Sequence, residues 1–219
     1  MGGIDIASNI PFVIILLLSL SIHEYAHAWT AAKLGDDTAE KMGRLTINPI
    51  VHIDLFGTIL LPLMGVPFGW AKPVPVNPMR FHRHVSMRAG MMWTAAAGPL
   101  SNVLLAAGMV LSLGVMYRLE SIVPGTRAAD LMVTAAVLNA FLAVFNSLPI
   151  VPLDGSRVLE GLIPDSMRGA WASYARMGPL VLLSVIFLPR YMGWPFINDF
   201  ARWLTVLFRD AALSAGGLA

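Results

Sequence analysis

Cysteine is absent from all 219 residues, which excludes disulfides and thiolate-bound metal. Charge is scarce: Asp, Glu, Lys and Arg make up 13% of the chain, against about 25% in ordinary soluble domains. With 57% hydrophobic residues and a mean hydropathy of +0.70, this shortage points to an integral membrane protein. No polar stretch long enough for an appended soluble module interrupts the apolar runs. The expectation is therefore one integral membrane unit over residues 1–219. Residues 1–9 lack Lys and Arg, which argues against reading the following apolar run as a secretory signal. A net charge of +2 gives no basis for nucleic-acid binding, because basic residues in a membrane chain set topology.

Residues 8–34 read as a first membrane-spanning helix, closed by Gly35 and the pair Asp36-Asp37. Residues 55–70 are apolar but, at about sixteen residues, fall short of the roughly 20 needed to span. Gly57, Pro62, Gly65, Pro67 and Gly69 lie inside them, which favours a re-entrant segment lined by protein or water. Residues 71–88 carry Lys72, Arg80, Arg83 and Arg88 with no acid. In Lys72-Pro73-Val74-Pro75-Val76 the alternating prolines hold the backbone extended. Residues 89–118 and 128–149 read as second and third spans. Residues 170–189 and 194–208 supply one or two more, limited by Pro179, Pro189 and Pro195. The predicted architecture is an all-α polytopic membrane protein. Three helices and a re-entrant or extended segment form a core at about 8–161, with further membrane segments at about 170–209.

The basic run 72–88 is the cytoplasmic signal. It places 119–130 outside and 149–157 at the cytoplasmic end. The first and third spans then run parallel, provided 55–70 re-enters.

The first span also holds what a bilayer least tolerates. His23, Glu24 and His27 lie within five residues, and one charge at that depth costs at least about 2.5–3.5 kcal/mol. At spacing i, i+4 both imidazoles leave one helix face, as chelation of a single zinc requires. Glu24 sits about 100° from His23 and about 60° from His27, within reach of water there without being a ligand. This is the H-E-x-x-H pattern of metalloproteases, whose glutamate is the general base. Packed core histidines are the alternative.

A catalytic zinc takes three protein ligands. His82 and His84 sit in the basic stretch, where they are solvated or at headgroups. His52 qualifies only if its loop folds back into the membrane. Asp154 follows an apolar span in NSLPIVPLDG, where Pro149 and Pro152 end helical hydrogen bonding and the freed backbone calls for a polar cavity. A plain surface aspartate remains the other reading of it. Asn102, four residues after Gly98, suits close helix packing with one interhelical hydrogen bond. Asn139 shares a helix face with Asn146 and is placed in the same cavity.

HEYAH (23–27), GPLSN (98–102) and NSLPIVPLDG (146–155) together resemble the site-2 proteases, which are intramembrane zinc metalloproteases. GRLTINPIVHIDLFGTILLP (43–62) and FGWAKPVPVNP (68–78) resemble their short forms without a PDZ domain. The resemblance covers about 8–161. It implies one Zn2+ per chain on His23, His27 and Asp154, with Glu24 catalytic. It further implies that Asn102 and Asn146 orient substrate backbone or stabilise the oxyanion. Leu153 stands where the family often has Pro before the Asp-Gly pair.

The implied activity is hydrolysis of peptide bonds in or near transmembrane segments of membrane proteins, as in regulated intramembrane proteolysis. The implied setting is the plasma membrane, with the site nearer the cytoplasm. Lys72, Pro73, Val74, Pro75 and Val76 are expected to pair with substrate as an added strand, or to serve as a plain connector. Other readings are a metal-ion transporter, which needs polar sites along a path, and a non-proteolytic zinc-binding membrane chaperone.

Overall fold

A computed structural model of the chain describes residues 6–64, 69–192 and 196–218. Six helices carry the architecture: α1 (Ile6–Lys33), α2 (Met87–Arg118), α3 (Arg127–Asn146), α4 (Asp154–Leu162), α5 (Arg168–Tyr191) and α6 (Phe196–Gly216). No strand occurs among the described residues. Among the described residues, four helices are long and apolar enough to cross a membrane, over Asn9–Lys33, Met87–Arg118, Arg127–Asn146 and Asp165–Leu188. The protein is an all-α polytopic membrane protein.

The helices begin where the sequence offers caps. Ser86 Oγ accepts from Ala89 N at 3.2 Å to start α2, and Thr126 Oγ1 accepts from Ala129 N at 3.4 Å to start α3, each meeting an otherwise orphaned N–H. After α1 the chain turns at Gly35, whose φ of +108° suits a residue without a Cβ. There His82 N donates to Leu34 O at 2.8 Å, which ties the basic stretch to the end of α1.

α2 runs antiparallel to α1 and α3 and packs against both. Leu16, Leu20, Leu138 and Leu142 form the buried seam between α1 and α3, closed by Ala71 from the intervening segment. Outward positions such as Ile14, Leu18, Leu104 and Leu111 are half or more exposed, as lipid-facing side chains of a spanning helix should be.

The segment between α1 and α2 goes out and returns alongside α1. A π-helical turn at Leu55–Leu60 continues into a short helix at Leu61–Leu63. Asn9 Nδ2 donates to Leu63 O at 3.2 Å, so this limb reaches the start of α1, far from His27. The return limb is extended. Thr58 Oγ1 donates to Trp70 O at 2.7 Å, and Lys72 N donates to His52 O at 2.9 Å. The expected re-entry of 55–70 turns on residues 65–68, which lie outside the described residues.

Two buried side chains then clamp the extended strap. Arg44 Nη2 donates to Lys72 O at 2.7 Å. Asp36, fully buried, accepts from Asn77 N at 2.6 Å and from Thr38 N at 3.0 Å.

The C-terminal part corrects the expectation about prolines. α5 continues through Pro179, since a membrane helix tolerates one lost hydrogen bond; Pro195 lies outside the described residues. Only 6% of the apolar window of α5 is buried within the protein. α5 meets the 149–152 connector at two points: Tyr174 Oη donates to Pro149 O at 2.9 Å, and Gly178 abuts Val151.

α6 is a helix but not one of the four spans, because Asp199, Arg202, Arg209 and Asp210 interrupt its apolar pattern. It packs across α2 and α3 in a cluster with Leu113, Tyr117, Val133 and Ala212, and Arg209 pairs with Asp130 at 3.3 Å.

Replacing Arg44 with Ala removes the donors that hold the strap. Faster proteolytic cleavage within 69–77 in detergent is expected, with a stability loss of roughly 1–3 kcal/mol seen as a lower thermal midpoint. Wild-type cleavage rate and midpoint would contradict the clamp.

Candidate metal centre

α1 presents His23 and His27 one turn apart, with rings crossing at 88° and centroids 4.6 Å apart. The third group comes from the far side of α2. After α3 ends at Asn146, the proline-containing connector leads into α4, whose first residue is Asp154. A carboxylate in a helix's first turn is favoured by the dipole and free N–H groups there. α4 is held in turn by Arg88 of α2, whose Nε donates to Glu160 O at 2.8 Å and whose Nη2 donates to Ile163 O. Part of the basic stretch thus positions the site.

Asp154 Oδ2 lies 3.1 Å from His23 Nε2 and 3.2 Å from His27 Nε2, and the two Nε2 atoms are 3.1 Å apart. Tetrahedral zinc with ligand bonds of about 2.0–2.1 Å spaces its ligand atoms about 3.3 Å apart, so the triangle has the right size. The other ring nitrogens are spoken for. His23 Nδ1 faces Asn102 Oδ1 at 2.5 Å, and His27 Nδ1 faces Thr94 O at 2.7 Å. Both acceptors require a hydrogen on Nδ1, which leaves each Nε2 lone pair directed at the shared space.

Asp154 Oδ2 is buried without a hydrogen-bond partner. Gly98 completes the cradle: a Cβ there would lie 2.4 Å from His27 Nε2 and 2.6 Å from His23 Cε1. The donor set, the orphaned oxygen and the glycine all fit zinc. His23, His27 and Asp154 form the one such cluster found among the described residues.

Glu24 is buried beside them, and its Oε2 accepts from Val74 N at 2.8 Å. The His23–His27–Asp154 cluster and Glu24 open into a cavity of about 530 Å3. Phe12, Leu16, Leu20, Leu138, Phe141 and Phe145 wall it, Leu182 of α5 reaches it, and Arg157 stands among its lining residues.

The remaining residues singled out from the sequence divide. Asn146 lines the cavity, with one amide hydrogen given to Leu142 O at 3.0 Å. Asn102 does not reach it: it is fully buried, and its amide is taken by His23 and by Asn139 Oδ1 at 2.7 Å. Asn139, placed in the cavity by its shared face with Asn146, is also buried away from it, because its amide turns into the α1–α2–α3 interface. Pro73, Val74 and Val76 line the cavity, whereas Lys72 is bound through its backbone to His52 and Arg44. His52 is buried with Nε2 toward Thr46 O at 2.8 Å, outside the ligand cluster. His82 and His84 stack on each other at 5.5 Å.

Helical fold and site together define a polytopic membrane protein with a buried His–His–Asp cluster able to hold a metal ion. No family model matches the chain, and no solved structure does. Curated relatives do match. YwhC of Bacillus subtilis (strain 168), named "Putative zinc metalloprotease", is 41% identical over 197 residues, covering 87% of this chain and 88% of that protein. Rip2 of Mycobacterium tuberculosis (strain H37Rv), named in the same words, is 31% identical over 182 residues, covering 82% and 68%. Rip2 of Mycolicibacterium smegmatis is 29% identical over 186 residues, again covering 82% and 68%. The chain belongs to this zinc metalloprotease family.

Asp154→Ala is expected to abolish stoichiometric zinc in elemental analysis of the purified protein. Gly98→Ala, which touches the site only through its new methyl group, should lower zinc content while the protein stays folded. Wild-type zinc content in both variants would place the metal elsewhere.

Proposed function

We propose that the protein is an intramembrane zinc endopeptidase of the site-2 type, cutting transmembrane segments of other membrane proteins. The observation that carries this is the siting of the His23–His27–Asp154 cluster and Glu24 at one end of an apolar trough inside a bundle of spanning helices. A peptidase for soluble substrates has no use for such walls. On α1 the lining extends from Phe12 to His27, about 22 Å of helix. A fully extended peptide of about six or seven residues covers that length.

Zinc, when bound by the three side chains, supplies Lewis acidity that activates water and polarises a peptide carbonyl. Glu24 takes the proton from the attacking water and delivers it to the departing amine. The Val74 N–H holds the carboxylate of Glu24 in place for that task. Asn146 offers its second amide hydrogen to the developing oxyanion. The substrate must unwind locally, because a helix shields its own carbonyls. The extended strap lines the cavity at Pro73, Val74 and Val76 and offers backbone carbonyls there for pairing with it.

The basic stretch lies at the same end as the site, and the positive-inside rule supports a site that faces the cytoplasm; the setting that the reading assigns is the plasma membrane. A transporter is less well supported: the metal-ligating side chains gather in one cluster rather than along a path.

The test uses a transmembrane peptide in detergent. Cleavage should require zinc and stop on chelation. Glu24→Gln should retain zinc and lose at least about 100-fold in rate. Normal turnover by that variant would remove Glu24 from the mechanism, and zinc binding with no cleavage of any membrane peptide would favour the chaperone reading.

A further inference from the structure

Asn102 and Asn139 are 0% and 1% exposed and do not line the cavity at the site, yet their side-chain hydrogen bonds all point one way. Asn102 Oδ1 faces His23 Nδ1 at 2.5 Å. Asn102 Nδ2 donates to Asn139 Oδ1 at 2.7 Å. Asn139 Nδ2 donates to Ser19 Oγ at 2.9 Å and to Ala135 O at 2.8 Å. The chain of bonds leaves α1 at His23, crosses α2 and α3, and returns to α1 at Ser19.

Its direction has a chemical consequence. For His23 Nε2 to serve as a ligand, Nδ1 must carry the hydrogen, so the neighbouring group must be an acceptor. An asparagine amide presents an oxygen or an NH2 group according to a half-turn of its side chain. Nothing in His23 alone prevents Asn102 from presenting the wrong one. Asn139 does: a flipped Asn102 would set oxygen against oxygen. Asn139 is oriented in its turn by Ala135 O, a backbone carbonyl that only accepts and cannot reverse. The polarity of the chain is thereby anchored in the backbone of α3 and expressed at the imidazole of α1. His27 needs no such device, because its Nδ1 meets a backbone carbonyl, Thr94 O, directly.

We propose that Asn139, acting through Asn102, is a positioning residue that fixes the tautomer and ring orientation of His23 and so sets zinc affinity. This assigns Asn102 to the metal centre's support rather than to the oxyanion. It rests on the reading of His23, His27 and Asp154 as zinc ligands.

The test measures zinc affinity of the purified full chain by competition with a chromophoric chelator, together with the visible spectrum of the cobalt(II)-loaded protein. Asn139→Leu, similar in size but unable to accept, should weaken zinc binding about 10–100-fold and change the cobalt spectrum. Asn139→Asp, as the neutral acid, keeps an acceptor for Asn102 Nδ2 and an O–H donor toward Ala135 O, and should restore both, which mere loss of packing would not explain. Should Asn139→Leu fail to fold, the pair Asn102→Leu and Asn102→Asp asks the same question one step closer: weak binding in the first, near-normal binding in the second, whose neutral acid accepts from His23 Nδ1 and donates to Asn139 Oδ1. Wild-type affinity and spectrum in the folded Leu variant would overturn the proposal alone. A wild-type protein that binds no zinc would overturn it together with the reading beneath it.

Discussion

The Asp154 carboxylate meets the two imidazoles of α1 at 3.1 and 3.2 Å, and much of the fold exists to make that meeting possible. A helix supplies two ligands for little, because i and i+4 already share a face. The third ligand must arrive from another element, through a membrane interior where an unsatisfied backbone is heavily penalised. The chain solves this with a proline-containing connector after α3 and a short helix that starts on Asp154 itself. α2 packs against both sources, and it gives up its bulk at Gly98, where any side chain would collide with both histidines.

The same logic explains why polar groups sit so deep. His23, Asn102, Asn139 and Ser19 are each buried, but none stands alone; each satisfies the next. A partly satisfied network of this kind would be worse than an apolar core. On the other side of the histidines, Glu24 is restrained by the backbone of the strap, and the strap by Arg44 and Asp36. The His–Asp cluster and Glu24 are therefore held by separate supports that converge on one turn of α1.

Much of this was legible in the sequence, for identifiable reasons. The spans show as apolar runs because lipid demands them, and His23, Glu24 and His27 show because lipid forbids them without purpose. The long α2 and α3 fall within two residues of their expected starts. Asp154 was one of two candidates until the resemblance separated it from His52, since a third ligand's position depends on tertiary folding that spacing does not encode. The role of Asn102 toward His23 could not be read, because a G-x-x-x-N pattern does not say which neighbour an amide faces. Asn139 lay on the expected helix face, yet period alone could not tell cavity from interface. The clamp at Arg44 and Asp36 gives no local signal at all: its bonds join residues 28 and 41 positions apart. The continuation of α5 through Pro179 reflects a membrane tolerance that a rule drawn from soluble helices misses.

X-ray absorption at the zinc edge of the purified protein tests whether His23, His27 and Asp154 hold one zinc ion. One zinc per chain is expected, with a shell of nitrogen and oxygen at about 2.0–2.1 Å, outer scattering from two imidazoles, and no sulfur. Loss of both imidazole signals in a His23→Ala, His27→Ala double variant should accompany loss of the metal. A stoichiometric zinc whose spectrum is unchanged in that variant would contradict this ligand set.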